Sequence, residues 1–329
     1  MKRILRLVCA IGALSAVCGP AWAQDLKKVT LLTDFLFSGT HTPYFAGVAQ
    51  GKFRDVGLDV TIQPGKSSTD GAGQLAAGAV QFAVLDPVPA LLAISKGAEL
   101  SFVAVYWQRN PNGFCYLKDK HPALSFNDLD KVKIGGVNGD SIVITLRALT
   151  PGKTLNVITL EGASHNAALI SGQVDAISCS VGSVATRAAL AKQAGHDLGI
   201  VTFEDGGLNS IGKVVVVATS LLKQNPDLIK RFVLGFAESV AWSVANPEAA
   251  AGDLVKARAE LKADAVLTTW QAFLPFLFVP GKDWFKFDPA ASKATVELAN
   301  KAYGINLTDA AFNNEFASAL PARLLEGKP

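Results

Sequence analysis

The chain of 329 residues carries 31 Lys and Arg against 28 Asp and Glu, is half apolar by residue count, and holds only four cysteines. Lys2, Arg3 and Arg6 supply the whole excess of positive charge, so the remainder of the chain is balanced. That balance excludes a surface for nucleic acid or anionic membrane built on charge, and no apolar run beyond residue 23 reaches the ~18 residues a spanning helix needs.

Residues 1–23 read as an export signal. A basic start precedes the apolar run from Leu7 to Val17, and Ala21-Trp22-Ala23 places small residues at the two positions a signal peptidase reads, so cleavage after Ala23 leaves Gln24 first. Cys18 would carry lipid in the alternative reading, but Ser15-Ala16-Val17 lacks the usual leucine and the small last residue before it. Apolar, β-branched-rich runs then follow at 29–35, 58–63, 82–85, 102–106, 114–117, 132–137, 157–160, 176–179, 200–203 and 214–218. Helical patterns lie between them at 44–53, 69–77, 88–95, 142–149, 166–171 and 183–194. Strands alternating with helices make mostly parallel, buried sheets. After Ser220 the chain reads as helix upon helix. There Ile229, Phe232, Val233, Phe236, Val240 and Val244 recur at helical spacing while Lys230, Arg231 and Glu238 fall elsewhere, which makes a core-facing helix and nothing more.

The roughly 300 residues left after the leader are more than one core usually serves. Gln108–Gly113 and Glu204–Gly212 are the loop-rich stretches around the middle block. The expectation is therefore an α/β fold of two lobes, each a mostly parallel sheet flanked by helices, joined by a double hinge. Residues 24–109 and 213–329 would form lobe I and residues 110–212 lobe II, an arrangement suited to closing on a ligand. Cys9 and Cys18 leave with the leader. Cys115 and Cys179 each sit in an apolar strand-like run, so they are expected as separate small buried side chains rather than a bridge. No C-x-x-C pair, histidine cluster, Gly-x-Ser-x-Gly elbow or His-Glu-x-x-His site is present, so no metal, cofactor or catalytic residue is expected.

In open α/β sheets a ligand binds outside the carboxyl ends of the strands. Those ends offer Asp34 and Phe35, Asp86, Tyr106 and Trp107, Asn138 to Ser141 with Asp140 among them, and Glu161; His41 and Tyr44 follow the first strand closely. Asp34 stands too far from the next helix to cap it and is assigned to ligand contact. Asp86, directly before Pro87, is open between a helix cap and a contact, and His41 between a local backbone bond and a contact. Lys133 to Ser141 runs strand, glycines, helix, the order that makes an anion site. It lacks the spacing of a nucleotide loop, and Asp140 at the helix start would repel an anion, so a ligand presenting N–H or O–H donors suits the rim better. Carboxylates accept from ring or amino N–H groups, and aromatic walls bury a planar ring. Arg109 is the counterweight, being able to meet the carboxylate of an aromatic acid.

Asp34-Phe35, His41 seven residues after the acid and Gly51 ten residues further resemble the D-W-x-P-N-x-x-H…G signature of thiamine-pyrimidine-precursor binding proteins. These belong to the nitrate/sulfonate/taurine family of periplasmic solute receptors. The resemblance continues in GKFRDVGLDVTI (Gly51 to Ile62), LAAGAVQFAV (Leu75 to Val84), LLAISKGAELSFVAVY (Leu91 to Tyr106) and ALISGQVDAI (Ala168 to Ile177), and covers most of Val29 to Ser220. Phe35 replaces the Trp of the signature, and Phe37-Ser38 its Pro-Asn. The resemblance implies a two-lobed, type 2 periplasmic-binding-protein fold and a monomeric, exported receptor that hands a small solute to the membrane permease of an ABC importer. For the solute it suggests a planar heteroaromatic such as a pyrimidine thiamine precursor, with a sulfonate, nitrate or aromatic carboxylate as the alternative. It also extends to pyrimidine-forming enzymes of the same fold, which use a cysteine-rich iron motif and a histidine near pyridoxal phosphate; only Cys115 and Cys179 remain here for such a motif.

Overall fold

The computed structural model of the protein describes residues 26–137 and 141–326. Ten strands form two five-stranded sheets. Strands β1 (Lys27–Leu32), β2 (Leu58–Gln63), β3 (Phe82–Leu85), β4 (Leu100–Trp107) and β10 (Lys213–Ala218) make the first sheet, in the order β2-β1-β3-β10-β4. Strands β5 (Asn112–Leu117), β6 (Lys133–Gly136), β7 (Asn156–Thr159), β8 (Ala176–Ser180) and β9 (Leu198–Thr202) make the second, in the order β7-β6-β8-β5-β9. This is the two-lobed α/β architecture expected from the alternating pattern. The chain crosses between the sheets over 108–111 and again over 203–212.

Each sheet contains one antiparallel strand, and in both cases it is the first strand after a crossing. β5 runs against β8 and β9, and β10 against β3 and β4. The reason is geometric. The parallel strands point their carboxyl ends at the crossings, so a chain entering a lobe from a crossing must run the other way. The same rule puts the amino end of β10 beside the carboxyl ends of its neighbours, with Lys213 opposite Trp107.

Helices cover both faces. On the first lobe α1 (Thr42–Ala49) lies on one face, while α2 (Ser68–Ala76) and α3 (Pro87–Ser95) lie on the other; the second lobe carries α4 (Ser141–Leu149), α5 (His165–Ile170) and α6 (Val181–Gln193). The tail folds as α7 (Thr219–Gln224), α8 (Pro226–Ala245), α9 (Pro247–Ala257), α10 (Ala263–Phe273) and α11 (Pro289–Tyr303). As its periodicity predicted, α8 buries Ile229, Phe232, Val233, Phe236 and Val240 in the first lobe's core. Among the described residues no helix is long and apolar enough to cross a membrane.

Two tail helices brace the lobes against each other. α11 lies between α3 and α4, and α10 lies beside the turn Gly39–His41 of the first lobe and α6 of the second. The α6 contact depends on Gly182, where a Cβ would stand 1.9 Å from the Phe273 ring. Phe273 is buried and stacks on Trp107 at 4.4 Å, so it has little room to yield. Gly182→Ala should therefore hold the lobes apart. We expect a loss of about 1–3 kcal/mol in stability, the usual cost of overpacking, and a larger radius of gyration in small-angle scattering. An unchanged radius would show that the contact does not set the lobe separation.

The structure corrects the expectation for the cysteines. Cys115 and Cys179 form a disulfide, with Cα atoms 5.4 Å apart. The pairing of β5 with β8 sets Cys115 opposite Ile177 and Cys179 opposite Gly113, so the two thiols are diagonal neighbours across adjacent strands.

Candidate functional site

The crevice between the sheets receives the carboxyl ends of the parallel strands of both lobes. β1 ends at Leu32, three residues before the apolar run does, because Thr33 turns the chain. Its hydroxyl donates to the Phe35 carbonyl at 2.6 Å and accepts from the Gly65 N–H at 3.1 Å. Gly65 is required there, since a Cβ would lie 2.0 Å from the Thr33 carbonyl oxygen. The loop thus released leaves Phe35 and Leu36 57% and 62% exposed at the end of β1, the two most exposed large apolar side chains described.

Behind them lies a charged floor. Lys213, only 5% exposed, sends its ammonium to Asp34 at 2.5 Å and to Asp86 at 2.7 Å, and sits 5.2 Å over the Trp107 ring. The other Asp34 oxygen lies 3.1 Å from His41 Nε2. His41 Nδ1 accepts from the Ser38 backbone N–H at 3.1 Å, so the ring proton resides on Nε2 and is donated to Asp34. Ser68 accepts from the Asp86 backbone N–H at 2.9 Å and donates to its carboxylate at 3.2 Å. Burial pushes the Asp34 carboxyl up, but the Lys213 charge and the His41 bond outweigh it and hold it well below its usual value. Burial likewise pulls the Lys213 ammonium down, and the two carboxylates more than reverse this. The floor is a closed network carrying one net negative charge. Asp34 and Asp86 each keep part of their surface open, and a carboxylate has about four acceptor sites.

Several expected contacts have other duties. Tyr44 and Tyr106 are fully buried in the first lobe's core, ring against ring at 5.6 Å, with the Tyr106 hydroxyl donating to the Thr40 carbonyl at 2.9 Å. Burial drives both phenols far above their usual pKa. Trp107 is buried between Phe273 and Lys213. These three are corrected from ligand wall to core, because the rings that close a sheet end are covered by α8 and α10. Asp86 is not a side-chain cap, as its carboxylate is taken by Lys213 and Ser68. His41 is buried and serves the floor rather than opening to the crevice. On the second lobe Ser141 opens α4, and Glu161 stands exposed before the turn Gly162–Ser164 without capping it. Asn138 and Asp140 lie outside the described residues. Arg109 is not available to a ligand either: it forms a two-pronged pair with Glu204, one prong at 2.6 Å, that ties the two crossings together.

Lys213 is the residue that reading carboxyl ends missed, since it opens an antiparallel strand. The available signal was a lone lysine directly before four valines, in a run that buries every side chain around it. Among the described residues no group of three or more His, Cys, Asp or Glu side chains is placed to hold a metal.

Comparison with known proteins agrees with this architecture. The chain is 26% identical over 243 residues to riboflavin-binding protein RibY of Chloroflexus aurantiacus, which takes in 72% of this chain and 68% of that protein. It is 24% identical over 280 residues to the 4-amino-5-hydroxymethyl-2-methylpyrimidine phosphate synthase THI13 of Saccharomyces cerevisiae, covering 80% of this chain and 82% of that enzyme. The structure of the periplasmic aliphatic sulphonate binding protein SsuA from Escherichia coli superposes with a TM-score of 0.67 at 16% identity, over 84% of this chain and 87% of that one, and so shares the fold. Residues 38–250, which hold every strand of the two sheets except β1, match the family described as NMT1/THI5 like, and the chain belongs to that family.

Proposed function

We propose that the protein is an exported, monomeric solute receptor that serves the membrane permease of an ABC importer and binds a small planar heteroaromatic solute between its lobes. Lobe I in this reading is residues 24–109 and 213–329, and lobe II is residues 110–212. The observation that carries the reading is the pairing of an exposed flat side chain, Phe35, with a hydrogen-bond-accepting floor, Asp34 and Asp86, at one sheet end. A ring laid on Phe35 would point its N–H edge at the open carboxylate surfaces. The floor's net negative charge disfavours a bare oxyanion such as nitrate there. The two sequence relatives, a riboflavin-binding protein and a pyrimidine phosphate synthase, support the ring class.

The yeast relative raises a second reading, a pyrimidine-forming enzyme. The receptor is favoured because Cys115 and Cys179, the cysteines left for an iron motif, are tied to each other in a disulfide.

The test is a thermal-shift screen of pyrimidines, flavins, aromatic carboxylates, sulfonates and nitrate. A ligand at a hundredfold excess over Kd adds about 2.7 kcal/mol to stability. A ring compound should give the hit, and Phe35→Ala should weaken it about tenfold, given roughly 0.5–1.5 kcal/mol for a good stack beyond the area it buries. Because Phe35 is exposed, the unliganded variant should melt with the wild type. Tight sulfonate binding indifferent to Phe35 would overturn the ring assignment.

A further inference from the structure

The second lobe carries a cation that pairs with no carboxylate among the described residues. Arg187 lies in the second turn of α6, whose sequence VGSVATRAALAKQ contains no acid, and faces α5, whose sequence HNAALI contains none either. Its Nε donates to the Ser183 hydroxyl at 3.2 Å and one Nη1 hydrogen to the Asn166 side-chain oxygen at 2.7 Å. A guanidinium has five N–H donors, and the other three find no acceptor among the described residues. The contrast with Arg109 and Arg323 is direct. Glu204 and Glu238 raise the pKa of those two, whereas burial alone acts on Arg187 and lowers it.

Position gives the unmatched charge a use. Helical side chains lean toward the helix start, and the bond to Ser183, one turn earlier, shows that Arg187 does so. The start of α6 follows Ser180, at the end of β8 that pairs with Asn112 beside the first crossing. Asn166 is likewise in the first turn of α5, which follows the carboxyl end of β7 by one short turn. The guanidinium thus leans toward the end of lobe II at which β8 meets the first crossing, the end that faces the crevice.

We propose that Arg187, with Ser183 and Asn166, forms a subsite for an oxyanion substituent, a carboxylate, sulfonate or phosphate, on the ring ligand. This rests on the receptor reading above and sharpens it. The ligand is a two-ended molecule whose N–H edge meets Asp34 and Asp86 and whose acidic group meets Arg187. A planar fork matches an oxyanion in two-pronged geometry, and the negative floor prevents the ligand from entering the other way round.

The experiment compares nicotinate with nicotinamide, which share a ring and differ in charge, and benzoate with inorganic phosphate as ring and ring-free anions. Each is titrated at constant ionic strength into wild type, Arg187→Gln and Arg187→Lys. Wild type should prefer nicotinate to nicotinamide about tenfold or more. Arg187→Gln should abolish the preference, and Arg187→Lys should keep part of it, since an ammonium retains the charge without the fork. Far-ultraviolet circular dichroism and urea unfolding check that both variants fold, and the lysine variant keeps the test decisive if the glutamine one does not. No stabilisation by any of the anions, equal binding of nicotinate and nicotinamide, or a preference that survives Arg187→Gln would each overturn the subsite. A neutral ring ligand found in the screen and indifferent to Arg187 would remove the subsite and leave the receptor standing. Benzoate and phosphate binding that needs Arg187, with no ring effect at Phe35, would support the subsite and sink the ring assignment.

Discussion

Replacing Lys213 by alanine should lower the unfolding free energy at neutral pH by about 3–5 kcal/mol, the cost of stripping one partner from a buried ion cluster. Two carboxylates would then face each other across the vacated ammonium, with only His41 and Ser68 to satisfy them. The charge origin of the loss can be separated from packing by pH. In the wild type the folded-state pKa of Asp34 lies below its usual 3.8. Its contribution is therefore fully present above that value and is lost as pH falls through the folded value. Lys213 lies above its usual 10.5, so its contribution is present below that value and is lost only as pH rises beyond it. In the variant the burial of Asp34 and the like charge beside it are no longer outweighed by Lys213, so its carboxyl is pushed up, the folded chain takes up a proton more readily than the unfolded one, and acid now favours folding. The gap between the two proteins should be widest near neutrality and should narrow below about pH 4. Urea unfolding at pH 7 and at pH 3.5 measures it. An equal loss at both would assign the effect to packing.

Removing the Cys115–Cys179 bond should cost about 2–4 kcal/mol. The bond joins residues 64 apart, and in the chain-entropy account a loop of that length restricts the unfolded ensemble by about 4 kcal/mol. Both sulfurs lie in a small apolar cluster with Leu117, Leu169, Val174 and Ile177, separate from the larger cores. A small cluster gains proportionately more from a cross-link, because it has little apolar area with which to hold β5 against β8. The double alanine variant is the appropriate probe, since it removes the sulfurs without adding hydroxyls that could bond locally, as serine at 179 could to Ser183. A linked peptide carrying both cysteines should appear in a non-reducing digest of the wild type. Coincident urea transitions of the oxidised protein and the double alanine variant would show that the bond constrains nothing.

The sequence alone determined the elements, because strand and helix periodicity is local. All ten strands and the α8 core face follow from the spacing of apolar side chains, and the same spacing places Asp34, Phe35 and Asp86 at strand ends. The family resemblance was legible for a similar reason, being carried by short stretches such as Asp34 to Gly51. Only the tertiary structure decided which residues at those ends remain open. Tyr44, Tyr106 and Trp107 have the composition of a ligand wall, yet α8 and α10, which begin more than a hundred residues later, bury them. Nothing near Cys115 announces Cys179, because their meeting depends on the antiparallel register of β5 with β8. Lys213 shows the cause most plainly. A strand's direction is set by where the chain enters the lobe, and entry at the second crossing turns the first residue of β10 into the centre of the floor, where it joins two acids 179 and 127 residues away. Periodicity reports which side chains are apolar and how often they recur, whereas strand direction and the identity of a buried charge's partner are fixed by contacts between distant parts of the chain.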